Sequence, residues 1–181
     1  MKLRPKALKT LADVLTASRF VIAGLIVFWA IRADYSTLGK VIISILIGWT
    51  TDILDGPIAR RSAVGEGFWG RTDFIADMAM VWAGFFYMAQ VGILSQYLAL
   101  AYFMLVLLFL LLTRSKSVLM AFSVPATALP LVVALDRLPS LGIAFLVWIA
   151  LALIIDHRRF IRVVVEFLHG MGKWLGRGSA S

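Results

Sequence analysis

The sequence predicts an all-α polytopic membrane protein with six transmembrane helices and a short N-terminal interfacial helix. Three observations carry that expectation. Of the 181 residues, 61% are hydrophobic and the mean hydropathy is +0.93, which places the chain among lipid-embedded rather than water-soluble proteins. The apolar residues fall into six runs, each near the roughly 20 residues that a bilayer crossing needs. The basic residues sit at the ends of those runs, where they would meet anionic headgroups.

Taken in order, the first dozen residues, 1–12, are basic and mildly amphipathic. They suit either a helix lying on the inner leaflet or an orientation tag without fixed structure. The six spans are 14–32, 39–58, 73–93, 96–113, 117–135 and 139–155, and their connections include residues 32–36, 91–96 and 136–140. Pro57 in the second span and Pro125 and Pro130 in the fifth are expected to kink their helices. Trp, Tyr and Phe near the span ends read as interface anchors. No soluble domain fits between the runs, so the chain reads as a single domain over 1–181. Within it, 1–13 is a basic juxtamembrane segment, 14–155 the six-helix core and 156–181 a basic cytoplasmic tail. The first apolar run is not followed by a small-residue cleavage site and reads as a retained span.

Charge sets the expected orientation. With the N-terminus cytoplasmic, fifteen of the eighteen Lys and Arg residues lie on the inner side, and only Arg32, Lys40 and Arg137 lie outside. That is a clear positive-inside bias with both termini cytoplasmic. The net charge of +8 therefore points to a lipid bilayer as partner and not to nucleic acid. With no cysteine in the chain, disulfides and thiolate chemistry are excluded. His157 and His169 have no metal-like companions and read as interfacial.

Carboxylates are the informative residues. The chain has only ten, and four of them are Asp52, Asp55, Asp73 and Asp77. Charged groups in or near a bilayer are costly and tend to be paired, metal-bound or facing water. Asp52 and Asp55 are three apart at the inner end of the second span, and Asp73 and Asp77 are four apart at the start of the third. Either spacing puts a pair on one helix face, and two antiparallel neighbouring spans can bring the pairs together. Four like charges at close range oppose one another's ionisation, and a divalent cation relieves the repulsion. An all-oxygen ligand set favours a hard ion such as Mg²⁺, Mn²⁺ or Ca²⁺ over zinc, and magnesium commonly bridges to substrate phosphates. The ordinary alternative is interfacial charges pairing with Arg60, Arg61 and Arg71. Gly56 and Ala59 leave room for close approach of a ligand, and Arg60 offers a planar fork suited to phosphate.

This pattern, Asp52-x-x-Asp55-Gly56-x-x-Ala59-Arg60 followed by Asp73-x-x-x-Asp77, resembles the signature of the CDP-alcohol phosphotransferase (CDP-alcohol phosphatidyltransferase) family. Seven of the signature's eight fixed positions are present. Leu15-Thr16-Ala-Ser-Arg19 is similar to the L-T-x-x-R of many members' first helix. The one departure is Trp69, where the family has glycine, with Gly67 and Gly70 beside it; Asp13 also stands where many members carry Asn. The resemblance implies metal-dependent transfer of a phosphatidyl group, a substituted phosphoryl group, from a CDP-linked lipid donor to a small alcohol acceptor, with release of CMP. It further implies Mg²⁺ or Mn²⁺ held by Asp52, Asp55, Asp73 and Asp77, with Asp77 as catalytic base on the acceptor hydroxyl. Gly56, Ala59, Arg60 and Thr16 would line the CDP site. A homodimer in a prokaryotic inner (plasma) membrane, with the active site on the cytoplasmic side and CDP-diacylglycerol as donor, completes what the family suggests.

The acceptor is less constrained. Ala76-Asp77 is similar to the glycerol 3-phosphate-using subset, although Met78 replaces the Lys found there. Arg114, Lys116 and Arg71 are candidates to bind an acceptor phosphate, and positive-inside topology accounts for the first two equally. Glycerol 3-phosphate is the first choice; inositol phosphate, serine and phosphatidylglycerol are the others. A membrane prenyltransferase would want a second aspartate-rich motif in the later helices. A divalent-cation transporter would want mid-membrane polar groups on several helices, whereas spans four and six are almost purely apolar. A non-catalytic family member would be expected to have lost an aspartate, and all four are present.

Overall fold

The computed structural model describes residues 5–62, 68–113, 116–155 and residue 165, and among the described residues there are six α-helices of more than one residue and no strand. The helices are α1 (Pro5–Ile31), α2 (Leu38–Ser62), α3 (Phe68–Gln90), α4 (Gln96–Thr113), α5 (Lys116–Arg137) and α6 (Pro139–Ile155). Three segments are long and apolar enough to cross a membrane: Pro5–Ile31, Tyr35–Asp55 and Leu119–Arg137. Two shorter apolar helices, Gln96–Leu112 and Pro139–Ile155, accompany them.

Helix boundaries depart from the apolar runs where polar residues are still good helix formers. Residues 5–13 continue α1 without a break, so the structure contains no separate N-terminal helix among the described residues. Pro5 stands at its first position, where the missing N–H costs no hydrogen bond. Similarly, α2 runs four residues past its apolar stretch to Ser62, and α3 begins at Phe68 rather than at Asp73. The helices also continue through Pro57, Pro125 and Pro130. In α5 the hydroxyls of Ser123 and Thr127 donate to the carbonyls one turn earlier, at 2.7 and 2.8 Å, which satisfies these polar groups inside an apolar helix.

The connections are closed by local hydrogen bonds. Between α1 and α2, Ala33 takes a positive φ of 47° and a single 3-10 turn follows at Tyr35–Thr37. Asp34 caps that turn by accepting from the Ser36 N–H at 2.9 Å. Hydrogen bonds from Ser36 hold the Asp34 carboxyl below the usual carboxylate range. Gly92, at φ 78°, ends the α3 region in a Schellman arrangement: Ile93 N–H donates to the Met88 carbonyl at 3.0 Å and Gly92 N–H to the Ala89 carbonyl at 3.3 Å. That left-handed residue is why α3 stops at Gln90 rather than running on through the apolar residues to 93.

Packing centres on α1, which lies most extensively against α3 and α2, while α5 joins α6 and α3. The main core gathers Ile26, Val41, Ile42, Met80, Tyr87 and Phe145. A second core beneath α4 holds Phe85, Ala89, Ala99 and Ala126. Trp49 stacks edge-on to Phe145 at 5.3 Å between ring centroids, and Trp148 Nε1 donates to Thr50 Oγ1 at 2.9 Å, tying α6 to α2. Large apolar side chains such as Val21, Tyr97, Leu112 and Ile154 are exposed on the outside. An apolar surface this extensive has no place in water and suits hydrocarbon.

Candidate active site

Each helix contributes polar residues by simple periodicity. On α1, Thr16 and Arg19 are three apart; on α2, Asp52 and Asp55 are three apart; on α3, Asp73 and Asp77 are four apart. In each case the pair lies on one face. The packing of α1 against both α2 and α3 turns these faces toward one another.

The guanidinium of Arg19 joins them. Its side chain is fully buried and forms an ion pair with all four aspartates. Nη1 donates to Asp52 Oδ1 at 3.1 Å and to Asp77 Oδ1. Nη2 donates to Asp55 Oδ2 at 2.5 Å and to Asp73 Oδ1. Each terminal nitrogen therefore bridges one aspartate of α2 to one of α3. Thr16 Oγ1 lies 3.2 Å from Asp55 Oδ2 and 3.3 Å from the Ala12 carbonyl. The exposure is graded: the Asp55 side chain is 8% exposed and that of Asp52 22%, while those of Asp73 and Asp77 are 34% and 33%. The site is closed on the Asp55 side and open on the α3 side, where a solute can reach Asp77.

The donor set fits a hard cation. One carboxylate oxygen from each of Asp52, Asp55 and Asp73 lies within 4.8 Å of the others. Oxygens bound to one ion at 2.0–2.6 Å are separated by at most about 4–5 Å, so the three lie close enough to one another to share an ion. Asp77 is outside this closest group of three.

Met78, next to Asp77 in sequence, lines an apolar cavity of about 570 Å³ between α2, α3, α5 and α6, together with Trp49, Ser123, Thr127 and Phe145.

Of the residues expected at the site, the structure brings together Asp52, Asp55, Asp73, Asp77 and Thr16. Backbone at Gly56, Ala59, Arg60, Arg71 and Lys116 is helical, but their side chains lie outside what is described, as does Trp69's. Arg114, His157 and His169 lie outside the described residues altogether. The ordinary reading had the aspartates paired with Arg60, Arg61 and Arg71; the cation that the described structure places among them is Arg19. Sequence reasoning counted Arg19 only as an inner-side topology charge and as part of the L-T-x-x-R resemblance. The available signal was its position three residues from Thr16 inside an apolar run, where a lone charge needs a partner.

An all-helical membrane-type bundle enclosing a carboxylate cluster on its second and third helices defines the class as an integral membrane protein with a polar, metal-competent site. The chain belongs to the CDP-alcohol phosphatidyltransferase family, whose pattern it matches over residues 9–171. This family consists of membrane-bound transferases that move a phosphatidyl group from a CDP-alcohol donor in phospholipid synthesis and that typically depend on a divalent metal. Comparison with curated proteins gives no match. Comparison with solved structures gives none either.

Proposed function

We propose that this protein is a six-span inner-membrane phosphatidyltransferase that uses CDP-diacylglycerol as donor and glycerol 3-phosphate as acceptor. The observation that carries the reading is the convergence of Asp52, Asp55, Asp73 and Asp77 from two helices on one point. In the reaction, the acceptor hydroxyl attacks the donor phosphorus distal to cytidine. The new P–O bond forms as the bond to CMP breaks, and the hydroxyl proton passes to a carboxylate. Asp77 is assigned that role: it is a third exposed, and a positioned carboxylate can take a proton from a poor alcohol nucleophile as the bond forms. Mg²⁺ or Mn²⁺, held by Asp52, Asp55 and Asp73 with Asp77 beside them, supplies charge neutralisation on the pyrophosphate oxygens.

The remaining assignments follow the family pattern. Gly56, Ala59, Arg60 and Thr16 line the CDP moiety. Arg71, Arg114 and Lys116 are the candidates to meet an acceptor phosphate. The cavity beside Met78 is apolar and large enough for part of an acyl chain, which supports a lipid donor over a water-soluble one. Both termini and the site lie on the cytoplasmic side, and two copies form the functional unit.

The test is CMP release by the purified protein in detergent, given CDP-diacylglycerol, Mg²⁺ or Mn²⁺, and separate acceptors: glycerol 3-phosphate, inositol phosphate, inositol, serine and phosphatidylglycerol. Metal-dependent release with glycerol 3-phosphate is the expected result. Release with another acceptor alone would correct the acceptor and keep the reaction. No release with any would remove the lipid-donor assignment.

A further inference from the structure

The guanidinium of Arg19 lies where a cation bound by the carboxylates would have to lie. It takes one oxygen from each of the four aspartates, bridging α2 to α3 through both terminal nitrogens. Three of those aspartates form the group close enough to share an ion. A dication and a guanidinium within a few ångströms repel, and a low-dielectric interior sharpens the repulsion. A second observation concerns the other end of the fork. Arg19 Nε is buried and has no hydrogen-bond partner, so this placement leaves one donor unsatisfied, at a real cost. Apart from a long contact of Nη2 with Thr16 Oγ1 at 3.4 Å, Arg19 is held here by the carboxylates and loses its main anchor when they turn to another cation.

We propose that Arg19 is an internal counter-ion that competes with the divalent cation for these carboxylates, and that metal loading displaces its guanidinium from them. The proposal rests on the metal-binding reading of the site. In this arrangement Arg19 keeps four clustered carboxylates compatible with a folded bundle until the metal arrives, and it weakens metal binding by having to be displaced. The opposite arrangement, in which Arg19 supports bound metal from behind its ligands, predicts the opposite sign.

The experiment measures Mn²⁺ binding to the full chain in detergent, by the loss of the free-ion EPR signal, for the wild type, Arg19→Gln and Arg19→Lys. Thermal midpoints are taken with EDTA and with saturating Mn²⁺. Competition predicts that Arg19→Gln binds Mn²⁺ about tenfold more tightly or better, a coupling of ordinary size. It also predicts that this variant has a lower midpoint than wild type in EDTA and a larger rise on adding Mn²⁺. Arg19→Lys keeps the charge but lacks the fork, so it binds Mn²⁺ more tightly than wild type by a smaller factor; it serves as the deciding variant if Arg19→Gln does not fold. Unchanged or weaker Mn²⁺ binding in the variants overturns the proposal while leaving the metal site standing. Absence of Mn²⁺ binding in the wild type overturns both.

Discussion

Arg19 Nη2 donates to Asp55 Oδ2 at 2.5 Å across the α1–α2 contact, and this is the most enclosed of the four ion pairs: the Asp55 residue is only 5% exposed. The same carboxylate oxygen is met by Thr16 Oγ1 at 3.2 Å. A buried carboxylate needs its lone pairs filled, and Thr16 is the second neighbour that fills them. Thr16→Val keeps the shape and removes the hydroxyl. The expected loss is about 1–3 kcal/mol, the usual cost of leaving a buried group short of a partner. Thermal unfolding in detergent checks it, and Thr16→Ser, which keeps the hydroxyl, is expected to lose less.

Asp77 sits at the open side of the cluster and outside the closest three oxygens. Converting it to Asn removes proton acceptance while preserving size. Asp77→Asn is expected to lower CMP release about 10²–10⁴-fold, the range for loss of a general base, with binding of the CDP-linked donor largely retained. Turnover and donor binding measured on the same preparation decide the point. Full activity in the variant would remove Asp77 from the base role. Asp52→Asn is expected to differ, losing Mn²⁺ affinity together with activity.

The four aspartates were legible because helical spacing alone aligns each pair, and the short connection between the second and third spans keeps the pairs near each other. The partner that joins them was not legible. Arg19 lies 33 residues before Asp52; its place inside an apolar run signals that it needs a partner, but nothing local in the sequence says which residues supply it. The six helices of the described residues followed from apolar runs, but their ends did not. Phe68 to Thr72 and residues 59–62 are helical without being uniformly apolar, and a hydropathy reading stops where lipid contact stops rather than where backbone hydrogen bonding stops. The role of Tyr87 was hidden for a related reason: it is a polar group whose partners come from tertiary packing.

Gly142 near the start of α6 is a packing requirement. A Cβ there would lie 2.6 Å from Leu135 Cα and 2.7 Å from Leu135 N, and backbone cannot yield as a flexible side chain can. Gly142→Ala is therefore expected to destabilise the α5–α6 hairpin by about 1–3 kcal/mol, the scale of overpacking. Gly24 on α1 is the contrast, since a Cβ there meets nothing within 4 Å. Gly24→Ala is expected to be neutral or to stabilise by up to about 1 kcal/mol through helix propensity. Paired thermal melts in detergent test both, and equal midpoints for the two variants would refute the packing argument.

Tyr87 ties the far end of the bundle. Its ring is fully buried, its hydroxyl donates to the Asp34 carbonyl at 3.0 Å, and Thr37 Oγ1 lies 3.1 Å away. The α1–α2 connection is thus latched to α3, which helps fix the relative heights of the helices that carry Arg19, Asp52 and Asp77. Tyr87 and Asp77 are ten residues apart on one helix, about 15 Å along its axis, so the latch does not touch the chemistry. Tyr87→Phe keeps the ring and removes the hydroxyl, leaving the Asp34 carbonyl and Thr37 without this partner. The expected result is a loss of about 1–2 kcal/mol in stability with CMP release at permissive temperature close to wild type. A melting curve and an activity assay on the same sample separate the outcomes: lower activity at an unchanged melting midpoint would place Tyr87 in the reaction rather than in the frame that holds it.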